Sequence, residues 1–499
     1  MEDENAVTAM RPLYALIAAF LLADVHQYLF YGQMAGVSVP IFVCLLYIFM
    51  LYVAKDRLRK NTWFSYVWLG AIFLLSLTYA LFANWFFFGL NFLVIPALIF
   101  LHMTYMLSYR VPSWSRLALI GAAAEHFFAQ SLRHWPTVFK IIQKAGGRNL
   151  QGERKQMLVK VLIGLLISCP LLLIVISLLS SADGVFHKIL ADVPALLERI
   201  SFSDGLGRIL WIILLGMGLF GFAQGFADPK HYDWSVPPLD GEPVLEPFTF
   251  SIDPVIVTTI LVSINTVYVL FVSVQFSYLF GAWDGVLPEG STYADYARSG
   301  FFELILVTAI NFAILLLSLL SVGEVKKTLK KIINVLLYTL VLCSMVMLYS
   351  AYSRLALYEE AYGYTYIRFL VHAFMIFLGL LLVIAAVRIS RVNFPLAKCY
   401  IVLGLLAYVL MNYIGMDGII AGRNMERYEA SGKLDAAYLS GLSWGAVPKL
   451  IEFSKKEDGL LDQNLRDKWQ SNTIAEQEWP SFNISKYRAQ QALEQYFAE

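Results

Sequence analysis

Eleven runs of apolar residues, each long enough to cross a bilayer and each bounded by charges or turn residues, constrain this chain more than any other feature. A hydrocarbon core about 30 Å thick takes about 20 residues of helix. The runs lie at about 12–32, 35–54, 64–83, 85–108, 157–180, 209–226, 253–280, 300–322, 332–352, 367–387 and 396–416. Composition agrees: 59% of residues are hydrophobic and only 15% charged, where soluble proteins carry roughly a quarter. The expected fold is all-α, a polytopic transmembrane bundle of about 11 helices, with the lipid bilayer as its first partner.

Several function classes fall away at this stage. A formal net charge of +1 gives no field that would gather nucleic acid. Cys44, Cys169, Cys343 and Cys399 each stand alone in a separate apolar run, without the pair spacing of a metal site. No metal and no cofactor is expected. The amino terminus is acidic before its first apolar run and lacks a small-residue cleavage site, so it reads as a first membrane helix.

Lysine and arginine set the expected orientation, because basic loops stay on the cytoplasmic side. With the amino terminus inside, cytoplasmic segments hold 21 basic residues and the outer loops between runs only six: Lys188, Arg199, Arg208, Arg298, Arg354 and Arg368. The carboxy-terminal tail then falls outside, on the extracytoplasmic face of a cytoplasmic membrane. Residues 113–143 are apolar enough to suggest a further span. They are interrupted by Glu125 and His126 and are basic on both flanks, which favours a helix lying in the cytoplasmic interface. The expected division is therefore a four-helix segment at 1–108, an interfacial amphipathic segment at 109–156, a seven-helix region at 157–416 with an outer loop at 181–208, and a soluble tail at 417–499. In that tail Gly432 reads as a helix end, and Asp435 and Ser443 as helix starts.

Polar residues of the carboxy-terminal half gather, on this topology, toward the outer side. Asp183 follows the fifth run, and Gln275 and Tyr278 lie near the end of the seventh. Tyr293, Asp295, Tyr296 and Arg298 precede the eighth, with Glu303 one turn inside it. Arg354, Tyr358, Glu359 and Tyr362 follow the ninth, and Arg368 opens the tenth. A carboxylate at membrane depth is costly unless paired, so Glu303 calls for a cation, and Arg298, Arg354 and Arg368 are nearest in depth. Asn91, Asn265 and Asn311 read as bridges between helices. His102 and His372 read as single interior histidines with satisfied nitrogens. Walker and HExxH motifs are absent.

The phrases SADGVF from Ser181, YVLFVSVQFSYLFG from Tyr268, YADYARSGFFEL from Tyr293, SRLALYEEAYGYTYIR from Ser353 and RNMERYEASGKLDAAYLSGLSWGAVPKL from Arg423 resemble a bacterial polytopic membrane group catalogued as domain of unknown function 4153/4173. The resemblance runs from about 170 to 450. It implies a bacterial cytoplasmic-membrane protein of helical architecture and supplies no activity. The chain departs from the group at Gly184, at Ser277 and Ser299, where the family tends toward arginine, and at the tail entry Met416-Asp417-Gly418.

Three functions are compatible with these residues. The first is transport or sensing of a small or amphiphilic anionic ligand, a solute or a lipid, at an outward-facing Arg/Glu/Tyr site. The second is a membrane-embedded enzyme acting on lipid-linked or envelope substrates. The third is a scaffold or signalling subunit that binds a protein partner through its tail.

Overall fold

A computed structural model describes residues 2–58, 62–108, 113–145, 203–229, 252–283, 301–321, 326–391, 393–470 and 478–498. Within them the apolar runs become helices: α1 Glu2–Phe30, α2 Ser38–Ala54, α3 Trp63–Leu81 and α4 Trp85–Leu107. Next come α5 Ala118–Glu125, a π-helical turn His126–Gln130, and α6 Trp135–Ala145. Then follow α7 Ser203–Ala227, α8 Pro254–Trp283, α9 Phe301–Ser321, α10 Lys327–Tyr362, α11 Tyr366–Ser390 and α12 Leu396–Tyr413. Among the described residues nine of these helices, α1–α4, α7, α8 and α10–α12, are long and apolar enough to cross a membrane, and α9 carries a shorter apolar stretch, Glu303–Leu319. The protein is a multi-pass helical membrane protein. The run at 157–180 lies outside the described residues, as do 181–202 of the expected outer loop. No crossing helix falls within 113–145.

The chain divides into two compact units. The first holds residues 1–69, 96–236 and 478–481. In it α7 runs along α1, and the π-helical turn packs on α7. His126 stacks on Phe226 at 3.5 Å between ring centres, and its Nε2 donates to the Phe222 carbonyl at 3.0 Å. Burial pushes its pKa down to about 4, which keeps the ring neutral and able to donate to that carbonyl. Such an approach needs Gly221 on α7: a Cβ there would lie 2.4 Å from the Ser131 carbonyl oxygen. The interior histidine of α4, His102, has both nitrogens engaged, with Tyr47 Oη at 2.8 Å and Ser65 Oγ at 2.9 Å.

The second unit holds residues 70–95, 237–477 and 482–499. Its membrane core is built by α8–α11 around Leu261, Leu315, Leu337, Leu340, Met347 and Leu382. Amides bridge the helices. Asn265 Nδ2 donates to the Leu336 carbonyl, and Asn311 Nδ2 donates to Ser344 Oγ. Asn91 joins α4 to α12, donating to Asn412 Oδ1 at 2.7 Å and accepting from Tyr408 Oη at 2.6 Å. At 36 residues α10 is about 54 Å long, well over a hydrocarbon thickness of about 30 Å, so part of it extends beyond an apolar layer of that depth.

The tail continues as α13 Met416–Ser431, α14 Ala436–Ser440, α15 Val447–Lys456, α16 Asp462–Gln470 and α17 Ile484–Ala498. Gly432 ends α13 with φ +67°, and the Asp435 side chain caps α14 by accepting from the Tyr438 amide. Short helices of this size need a surface to complete their core. Here Ile420, Leu450, Leu465 and Leu493 share one apolar cluster with Phe87 of α4, and Tyr366, Phe369 and Tyr408 of α11 and α12 pack against it. The tail therefore docks on helix ends of its own unit. Asn483, the asparagine of an Asn-Ile-Ser sequon, is 8% exposed and donates to the Tyr79 and Phe82 carbonyls, so it serves as a clamp and is closed to glycosylation.

Candidate functional site

Two features of the second unit meet where the tail covers the helix ends. One is the turn between α10 and α11. Gly363 makes it with φ +86°, a conformation that side chains disfavour. Asn424 of α13 grips this turn, accepting from the Tyr364 amide at 2.9 Å and donating to the Tyr364 carbonyl at 2.8 Å. Arg427, one turn on, donates to the Glu360 and Ala361 carbonyls at 2.9 and 2.8 Å. These are the open carbonyls that any helix presents at its carboxyl end, and a cation suits them. The Tyr366 amide donates to Tyr438 Oη at 2.9 Å, and burial pushes the Tyr438 phenol up to about 12.

The second feature is a cavity of about 270 Å³ beneath the tail. Leu81, Phe82, Phe87, Met411 and Ile484 form its apolar walls, while Asn84, Asp417, Ser443, Trp444 and Arg488 supply polar groups. First-turn or capping residues of several helices line it: Asn84 before α4, Met416 and Asp417 of α13, Ser443 and Trp444 at the 3-10 turn leading into α15, and Ile484 of α17. Helix amino termini carry partial positive charge, so their convergence favours an anion. Asp417, 5% exposed, answers part of that field. Its Oδ2 accepts from Asn84 Nδ2 at 2.7 Å and its Oδ1 from the Ser443 amide at 2.9 Å. Asn84 in turn caps α4, its Oδ1 accepting from the Phe86 and Phe87 amides. Arg488 is exposed at the rim, and Lys449 Nζ donates to the Gly418 carbonyl on the wall. Nearby Lys468 donates to the Ser440 and Leu442 carbonyls; burial lowers its pKa and the charge of Asp417 opposes that shift.

Of the thirteen residues expected at a ligand site, Asp183, Tyr293, Asp295, Tyr296 and Arg298 lie outside the described residues. Gln275 and Tyr278 fall on the last turns of α8, with only their backbone described. Glu303 is exposed in the first turn of α9. Arg354, Tyr358, Glu359 and Tyr362 follow one another on the last turns of α10, and Arg368 stands on the first turn of α11. The fold brings part of this last group together. The Arg368 guanidinium lies 4.4 Å over the Tyr358 ring and donates to the Gly363 carbonyl, and Tyr358 packs on Tyr362. Glu359 faces His372 of α11, with 3.7 Å between Oε2 and Nε2. Among the described residues no cluster of three or more metal-ligating groups occurs.

The cavity residues Asn84, Asp417, Trp444 and Arg488 were not among the expected ligands. A signal for two of them exists in the sequence. Asn84 precedes an apolar run as a helix cap does, and Asp417 occupies the departure at Met416-Asp417-Gly418. Neither local signal shows that the two side chains meet.

Fold and site together define a multi-pass membrane protein whose carboxy-terminal helices close over a cavity of mixed apolar and polar lining at the ends of its membrane helices. The chain belongs to the family described as domain of unknown function DUF4153, whose model matches residues 69–453. That match begins about a hundred residues before the phrases that carry the resemblance and takes in α4 and most of α3. No curated protein and no solved structure matches the chain.

Proposed function

We propose that the protein binds a small or amphiphilic anion, for transport or sensing, in the cavity under its docked tail. One observation carries this reading: helix amino termini from α4, α13 and α17 and the Arg488 side chain converge on a space of about 270 Å³ that has a single carboxylate in its wall. The walls suit an amphiphile, because apolar ends of α3 and α12 face polar groups of the tail. Charge bias of the loops supports an extracytoplasmic position in a cytoplasmic membrane. Arg354, Arg368 and Glu303, with the Asp183, Gln275, Tyr278 and 293–298 groups, form the competing location for the same ligand. Arg368 is the weaker candidate of these, since a carbonyl and a tyrosine ring already hold its guanidinium.

The test is native mass spectrometry of the purified protein, scoring co-purifying anionic lipid or solute. Arg488→Ala is expected to lower the bound fraction about tenfold, the scale of one charge-assisted hydrogen bond, and Trp444→Ala to lower it as well. Retention in both variants with loss in Arg354→Ala would move the site to the end of α10. Absence of any bound anion from wild-type protein, in detergent and in native lipid discs, would overturn the reading.

A further inference from the structure

Beside the turn that α13 grips, two titratable groups, one buried and one half-buried, face each other from α10 and α11 across 3.7 Å. Glu359 has a side chain 5% exposed, and no hydrogen bond reaches its carboxylate among the described residues. His372, on the second turn of α11, has a side chain 16% exposed, and its Nε2 likewise lacks a hydrogen-bond partner among them. The two atoms are 3.7 Å apart, beyond the roughly 2.7–2.9 Å of a charge-assisted bond. A proton shared between them satisfies the buried Nε2 and draws the two into a charge-assisted bond.

We propose that Glu359 and His372 form a proton-binding site that holds one exchangeable proton and links its uptake to the docked tail. Charges acting on Glu359 come from Arg368 of α11 and Arg423 of α13, and the Tyr364 phenol of the turn also senses it. On α10 itself, the Tyr352 ring packs on His372 at 4.4 Å, and Glu303 of the adjacent α9 is exposed. With the proton bound, Nε2–H donates to the carboxylate and the pair draws together. When the proton leaves to water, the imidazole is neutral and the charge-assisted bond is lost, leaving at most the weaker bond of its Nε2–H tautomer. The Glu359 carbonyl receives the Gly363 amide at 2.7 Å, and the next residues are held by Asn424 and Arg427. Movement of the pair therefore passes directly into α13, whose first turn lines the cavity. This coupling rests on the anion-binding reading, whereas the proton site itself does not.

Two measurements test the proposal separately. In protein labelled with ¹⁵N-histidine, with His372 assigned through His372→Asn, the ring nitrogens of His372 and the infrared carboxylate stretch of Glu359 are expected to titrate with one common midpoint. Glu359→Gln, close in shape, is expected to move the His372 midpoint by about one pH unit or more and to remove the infrared band. An unchanged His372 midpoint in that variant overturns the shared proton, whatever the protein binds. For the coupling, hydrogen exchange over 416–431 is expected to change across the midpoint in wild type and to be flat in Glu359→Gln. Equal pH dependence in both proteins overturns the link. If the shared midpoint appears while mass spectrometry finds no bound anion, the proton site stands and the ligand reading fails.

Discussion

Asp417→Ala is expected to loosen the whole carboxy-terminal helical layer. The carboxylate is the one acceptor shared by Asn84 Nδ2 and the Ser443 amide, and its removal leaves both donors in a site that was 5% exposed. An unsatisfied buried donor costs about 1–3 kcal/mol, so the two together cost about 2–5 kcal/mol, with water entering the adjoining cavity recovering part. That is large against the packing of short helices that cannot hold their shape alone. Hydrogen exchange over 416–498 is expected to accelerate while the membrane helices α8–α11 keep their protection. Asp417→Asn retains one acceptor and is expected to show a smaller effect. Unchanged exchange in Asp417→Ala would mean that the apolar cluster alone fixes the tail.

Gly221→Ala is expected to be the most damaging methyl addition in the first unit. The new Cβ would sit 2.4 Å from the Ser131 carbonyl oxygen and 3.1 Å from its carbon, and backbone atoms cannot rotate away as a side chain can. Overpacking of this kind costs about 1–3 kcal/mol and more where the partner is rigid. The helix segment around the π-helical turn must withdraw from α7, breaking the His126 hydrogen bond to Phe222. Loss of thermal stability in detergent and faster exchange over 126–145 are the expected readouts. Gly218→Ala, on the same helix with open space around it, is the matched control and is expected to behave as wild type. Equal effects of the two substitutions would show that helix flexibility, not contact, is at stake.

Much of the fold was legible along the chain because the forces that specify it are local. Twenty apolar residues in a row make a membrane helix wherever they occur, and an αL glycine or a capping aspartate acts on its own turn, as Gly432 and Asp435 do. The family match from residue 69 onward fits the same architecture. The site was less legible. Arg368 reads in sequence as a cation available to a ligand, yet its guanidinium meets a carbonyl of the turn after α10, and Arg427, which the sequence did not single out, holds carbonyls at the end of α10. Sequence has no record of whether a helix end is already capped by something else.

By itself, then, the order of residues determined that the chain is a bundle of membrane helices with a helical tail, since hydropathy and capping need no information from distant segments. Only the tertiary structure decided what that tail does. Asn84 and Asp417 stand 333 positions apart, and Glu359 and His372 meet only because Gly363 folds α11 back against α10. A hydrogen bond requires approach to within about 3 Å, and which distant groups come that close is decided by the packing of every helix between them.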